Sequence, residues 1–162
     1  MRCHICKAEN PEQFLSLGHQ PPSDAFLKYE ELEIPEISYP LDVFFCPACS
    51  LVQLGYAVDP EILFRDYVYN TGTNNALRAN FKELVDEIIR TYNLKKDDFV
   101  VDIGSNDGTL LQNYVPHGIR VLGIDPSSAT NIAIEKGIPT DVVFFNEGEA
   151  HTVAERMGKP KI

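Results

Sequence analysis

The chain has 162 residues, 44% of them hydrophobic, and a formal net charge of −10, which is enough for one ordinary domain or for a small domain with part of another. Its 24 acidic side chains outnumber 14 scattered basic ones, so it lacks the cationic footprint that phosphate neutralisation needs, and a nucleic-acid partner is excluded. No apolar stretch is long enough to span a bilayer and no apolar leader precedes the first cysteine, so the expectation is a chain with no membrane partner, working in a reducing cytoplasm.

The first element is a cysteine knuckle, Cys3-His4-Ile5-Cys6, answered by Cys46-Pro47-Ala48-Cys49; these are all four cysteines of the chain. A two-residue gap lets one tight turn aim two sulfurs at one point, and two such turns supply the four soft ligands of tetrahedral Zn²⁺. The competing readings are two structural disulfides or four unrelated thiols; a redox C-x-x-C would open a helix after a strand, and one copy would suffice. His4 falls outside the set. With four protein ligands the site is closed, so zinc here is structural.

Residues 1–58 read as this zinc-binding module. The segment Gln20-Pro21-Pro22-Ser23-Asp24-Ala25-Phe26 is loop, the run from Tyr39 to Phe45 leads into Cys46, and Leu51-Val52-Gln53-Leu54 alternates as a strand of the ribbon. So small a core is marginal by burial alone, and metal-binding free energy becomes folding free energy. Residues 59–98 read as a helical linker and lid. Leu77, Phe81, Leu84, Val85, Ile88, Ile89 and Tyr92 recur at helical spacing, with Asn74 or Asn75 to cap the start and Asn93 to end the helix.

Over residues 99–162 strands and helices alternate. The sequence predicts strands over Phe99 to Ile103, Arg120 to Ile124 and Val142 to Phe145, and helices over about Thr109 to Tyr114, Ser127 to Lys136 and Glu147 to Met157. Such alternation implies an α/β fold with a parallel sheet and crossover helices. The first strand runs into Asp102-Ile103-Gly104-Ser105-Asn106-Asp107-Gly108, a turn whose glycines let backbone approach a ligand at the carboxyl end of a strand. The second runs into Asp125, 23 residues after Asp102, near the ~20-residue offset at which an acid meets ribose hydroxyls. A Gly-rich turn or a strand-end acid alone is often only that; in this order and on these elements they point to an adenosine ligand. Asp107 in the loop repels phosphate and suits a cation, which favours S-adenosylmethionine, with its sulfonium, over a dinucleotide. An NAD enzyme stays as the rival.

Four stretches carry a family resemblance: Cys3 to Cys6; Cys46 to Leu54; Phe64-Arg65-Asp66-Tyr67-Val68-Tyr69-Asn70-Thr71-Gly72-Thr73; and Asp102 to Leu111. With Gly123-Ile124-Asp125-Pro126 and Gly137-Ile138-Pro139-Thr140, they make the chain resemble the zinc-containing, S-adenosylmethionine-dependent C-methyltransferases of deoxysugar biosynthesis, which act on nucleotide-linked keto sugars. The resemblance implies a zinc module followed by the first βαβαβ part of a Rossmann-like class I methyltransferase domain. Three of seven expected strands fall within these residues, and a C-terminal part that helps hold the nucleotide-sugar lies outside them. It also implies a partner in that missing half or in another chain. The chemistry would remove a proton beside the keto group and let the enolate take the methyl group.

In that frame Tyr67 and Tyr69 either hydrogen-bond the enolate and guide the methyl group or are packed tyrosines with one wet end. Thr71, Gly72 and Thr73 either line the cofactor pocket or form a helix-start loop. Relatives carry a histidine where Asn80 stands here, so that position offers no conventional proton transfer. His19, His117 and His151 read as surface histidines. The rival of another class is a non-catalytic zinc-binding and interaction module.

Overall fold

The computed structural model describes residues 1–162. The chain divides into two compact units, Met1–Leu63 and Phe64–Ile162. No helix is long and apolar enough to cross a membrane.

The first unit is an antiparallel sheet of β1 (Glu12–Gln20), β2 (Tyr39–Phe45) and β3 (Val52–Leu54), in that spatial order. Strand β1 is not among the predicted elements. All nine of its residues are exposed, and its register shifts between Gln13 and Leu15 and again between Ser16 and His19, so neither a buried face nor a clean alternation marks it in sequence. The Pro-rich stretch that follows is loop, with a single 3₁₀ turn at Tyr29–Glu31. Among residues 1–63 only Cys3, Pro11, Cys46 and Gln53 are buried. This unit therefore has no aliphatic core, and its interior is built around sulfur.

A five-residue helix, α1 (Pro60–Phe64), carries the chain into the second unit. There α2 (Asn75–Tyr92) begins where the Asn74 side chain accepts the Leu77 N–H at 3.1 Å, and it ends at Asn93 in the left-handed conformation (φ 49°), as the cap residues predict. It is followed by β4 (Phe99–Ile103), β5 (Arg120–Ile124), α3 (Thr130–Glu135), β6 (Thr140–Asp141) and α4 (Glu147–Met157). The three strands are parallel, in the order β4-β5-β6.

Alternation along β4 and β5 sends side chains to two cores. Val100 and Val121 pack with Val85 of α2, Ala133 of α3 and Leu111, Tyr114 and Ile138 on one face. Phe99, Leu122 and Ile124 pack with Val153 of α4 on the other. Helices thus cover both faces, the arrangement that suits a parallel sheet. On the side of β4 away from β5, Lys161 donates its backbone N–H to Phe99 O (2.8 Å) and Val101 donates to Ile162 O (2.9 Å). Residues 161–162 run alongside β4 in the same direction.

Two predicted elements differ in the structure. Val142–Phe145 is not a strand: β5 ends at Ile124 and runs into Asp125-Pro126, Pro126 has no N–H to give, and the chain after Asp141 passes beyond the ladder. The predicted helix over Thr109 to Tyr114 is two short 3₁₀ turns, Leu111–Asn113 and Val115–His117, the second holding Pro116.

Candidate functional site

The two cysteine knuckles are built alike. Cys3 O accepts the Lys7 N–H (3.2 Å) and Cys46 O accepts the Ser50 N–H (2.8 Å), and Lys7 and Ser50 both take φ 62°. Each turn closes over its own pair of sulfurs, and the turns interleave: Cys3 Sγ lies 3.6 Å from Cys49 Sγ, and Cys6 Sγ 3.6 Å from Cys46 Sγ. All four ligand atoms lie within 4.8 Å of one another. Tetrahedral zinc with Zn–S of about 2.3 Å needs sulfurs about 3.8 Å apart, whereas a disulfide needs about 2.05 Å. The cysteines are free thiols, so the donor set fits zinc and rules against the disulfide reading.

Without metal the thiols compete for protons. Burial raises the Cys3 thiol, but the backbone N–H groups of Cys6 and Ile5 and the Cys49 thiol outweigh it and bring Cys3 down to about 6. The Leu51 N–H lowers Cys49, but Cys6, burial and the other two thiols push it up to about 12. Gln53, one of the few buried side chains, accepts the His4 N–H at 2.9 Å and steadies the first knuckle; His4 stays outside the cluster.

In the second unit a cavity of about 500 Å³ opens at the carboxyl ends of β4 and β5, within the roughly 300–1,000 Å³ of small-molecule sites. Tyr67, Tyr69, Thr71, Gly104, Asn106 and Asp125, all singled out in the sequence, line it. Phe64, Ile103, Ile124, Pro126, Ser127 and Val143–Phe145 also line it, and sequence reading missed them because aliphatic and aromatic residues carry no chemical signature. Ser127 was legible in principle, since Asp-Pro-Ser is a turn in which the acid binds backbone two residues on.

The turn after β4 alternates left-handed residues: Gly104 (φ 79°), Asn106 (φ 51°) and Gly108 (φ 73°). A Cβ at Gly108 would meet Ala133 Cβ at 3.1 Å, so conformation and close packing both require glycine there. Asp125 is 7% exposed. Its Oδ1 accepts from the Ser127 N–H (2.8 Å) and hydroxyl (2.5 Å), and its Oδ2 from the Asn106 N–H (2.9 Å).

The remaining singled-out residues do not line the cavity. Asp107 is turned away: Oδ2 accepts the Gly72 N–H (2.8 Å), Oδ1 accepts the Thr109 N–H (3.2 Å), and Lys136 Nζ lies 3.8 Å from Oδ2. Its charge is thereby committed inside the protein, which removes the electrostatic argument built on it. A Cβ at Gly72 would come within 2.6 Å of Asp107 Oδ2. Ser105 is buried with its hydroxyl unpartnered, packed where a Cβ on Gly123 would lie 2.4 Å away. Asp102 sits behind the turn, its carboxyl raised first by burial and then by the charge of Asp125. The aromatic rings form a wall: Phe64 and Tyr67 have centroids 6.2 Å apart, Tyr67 and Tyr69 6.5 Å, both edge-on.

Two expectations follow. Chelating the metal should release one zinc per chain and abolish amide-exchange protection at Cys46 and Ser50, the donors that close the second knuckle; retained protection after zinc loss would contradict a metal-built module. For Asp102, the folded pKa lies above that of the unfolded chain, so stability falls as pH rises from about 3.9 through the raised value, and the full penalty stands at neutrality. Asp102→Asn should therefore be more stable than the parent at pH 7, by chemical denaturation, with the advantage gone below about pH 4; an equal advantage at both would refute the burial argument.

Comparison with known proteins agrees with the geometry of the first unit: residues 3–64, which hold all four cysteines, match the family described as "Putative zinc binding domain". Along 161 residues, 99% of the chain, the sequence is 29% identical to the C-methyltransferase NovU of Streptomyces niveus. The chain spans 38% of the length of that relative. The zinc-binding match and a similarity that runs along nearly the whole of this chain agree with the resemblance read from the sequence, to part of a C-methyltransferase with a zinc-binding module.

Proposed function

We propose that the chain supplies the structural zinc module and the cofactor-binding core of an S-adenosylmethionine-dependent methyltransferase that C-methylates a nucleotide-linked keto sugar. The observation that carries this reading is the cavity at the carboxyl ends of β4 and β5, where the Gly104–Gly108 turn meets Asp125. Open parallel sheets take nucleotides in that crevice. With residues 161–162 beside β4, the spatial order β6-β5-β4-tail corresponds to the 3-2-1-4 order of a Rossmann-like sheet. In this proposal residues 1–58 are the zinc module, 59–98 a helical linker and lid, and 99–162 the opening part of a class I methyltransferase domain.

The cavity lining itself supports S-adenosylmethionine over a dinucleotide. Asp125 is the one charged side chain in it, so a pyrophosphate would meet repulsion and no cation. The turn leads into a one-turn 3₁₀ segment rather than a regular helix whose N-terminus would hold phosphate. A carboxylate has about four acceptor positions; three on Asp125 are taken by Asn106 and Ser127, which leaves one for a ribose hydroxyl. Thr71, Gly104 and Asn106 would flank the ligand, and Val143, Phe144 and Phe145 offer apolar surface to its base. Asp102, Gly72, Ser105, Asp107 and Gly108 would shape the pocket from behind.

When bound, the cofactor supplies an electrophilic methyl group. Tyr67 and Tyr69 on the cavity wall would hydrogen-bond the enolate oxygen of the deprotonated sugar. The base belongs to the remainder of the enzyme. Cysteines kept for zinc rather than paired as disulfides fit a reducing cytoplasm. A second reading, a non-catalytic interaction module or half of a split enzyme, draws on the exposed apolar side chains of Phe26, Tyr29, Leu32, Ile34 and Ile37.

Native mass spectrometry with S-adenosylhomocysteine and, separately, NADH tests the assignment. One zinc and one S-adenosylhomocysteine per chain, with NADH not retained, is expected. Retention of NADH instead would move the protein to the nicotinamide enzymes, and zinc with neither ligand would favour the interaction module.

A further inference from the structure

The tyrosine-bearing segment is tied down at both ends. Near its start, Arg65 O accepts the Ser128 N–H at 3.1 Å. Near its end, three hydrogen bonds converge on one side chain: Asn106 Oδ1 accepts from the Thr71 N–H (3.0 Å) and hydroxyl (3.2 Å), and Asn106 Nδ2 donates to Tyr69 O (2.9 Å). The Gly72 N–H adds a fourth bond, to Asp107. Tyr67 and Tyr69 lie between these anchors, on the cavity wall.

Asn106 suits this place for three separate reasons. Its φ of 51° is one that Asn tolerates better than other non-glycine residues. Its carboxamide both donates and accepts, which a carboxylate does not. Its backbone N–H is the donor to Asp125 Oδ2. One residue therefore touches the strand-end acid through its main chain and the tyrosine segment through its side chain.

Resting on the cofactor reading of this cavity, we propose that Asn106 is a positioning residue that fastens the segment 69–73 to the Gly-rich turn, so that Tyr67 and Tyr69 are set in place by the same residue that orients Asp125. Occupancy of the cavity and placement of the tyrosines then go together. A ligand on Asp125 bears on Asn106, and a loosened segment 69–73 opens the wall against which the ligand rests.

Asn106→Gly isolates this role, because glycine accepts φ 51° without strain and keeps the N–H to Asp125 while deleting only the carboxamide. Residue-resolved hydrogen exchange should show protection at the Thr71 amide falling at least about tenfold, with protection in β4 and β5 unchanged. Affinity for S-adenosylhomocysteine, by calorimetry, should fall about tenfold in the same variant. Gly72→Ala attacks the join from the other side, through the clash with Asp107, and should expose the Thr71 amide in the same way. Unaltered Thr71 protection in Asn106→Gly, or an unprotected Thr71 in the parent, would overturn the proposal. The exchange measurement needs no ligand: if the parent fails to bind S-adenosylhomocysteine, the cofactor reading falls while the fastening stands or falls on Thr71 alone.

Discussion

The in-register parallel pairing of Phe99–Ile103 with Arg120–Ile124 is the constraint on which the second unit depends. At one end Asp98 O accepts the Arg120 N–H; at the other Ile124 O accepts the Gly104 N–H. The two strands therefore run out level, and the backbone beyond each must turn away. One turn is the left-handed alternation at Gly104, Asn106 and Gly108, and the other is Asp125-Pro126-Ser127, wound about its own carboxylate. The space between the two turns is the cavity. The strand sides are committed to burial on both faces, so the carboxyl edge is where polar chemistry can stand without disturbing the packing.

The first unit obeys a different rule. Ordering its 63 residues costs backbone entropy, and apart from one proline and one glutamine the buried side chains available to offset this are two cysteines. Structural zinc contributes about 10–16 kcal/mol on binding thiolates at neutral pH. The equivalence of the two knuckles, down to a left-handed residue after each second cysteine, makes the metal site the organising core of the unit and the sheet β1-β2-β3 its consequence. The spread of thiol proton affinities from Cys3 to Cys49 reflects four sulfurs forced together, which a divalent cation resolves by taking all four as thiolates.

What was legible in the sequence was whatever carried a local rule. The cysteine spacing, the Asn74 and Asn93 caps of α2, and the strands β4 and β5 each announce themselves by chemistry or period. Strand β1 was hidden because it buries nothing. Val142–Phe145 has strand composition, yet its partner strand ends before reaching it, and only the tertiary ladder holds that information. The cavity lining was half legible: Asp125, Gly104, Asn106 and Thr71 by type and position, the aromatic wall only as a pair of tyrosines. Asp107 misled for a physical reason. An acid in a Gly-rich loop looks available to a ligand, and only the fold shows that Gly72, Thr109 and Lys136 already hold it. What disfavours phosphate is the absence of cationic side chains from the cavity lining rather than that one charge.

The account stands on the claim that the carboxyl edge of the parallel sheet is an adenosine-cofactor site. Amide NMR of the isotope-labelled, zinc-loaded chain titrated with S-adenosylhomocysteine tests it most directly. The claim predicts saturable shifts centred on Gly104, Asn106, Asp125, Ser127 and Val143. Saturating ligand that leaves those amides unmoved, or that shifts residues only elsewhere, would contradict it.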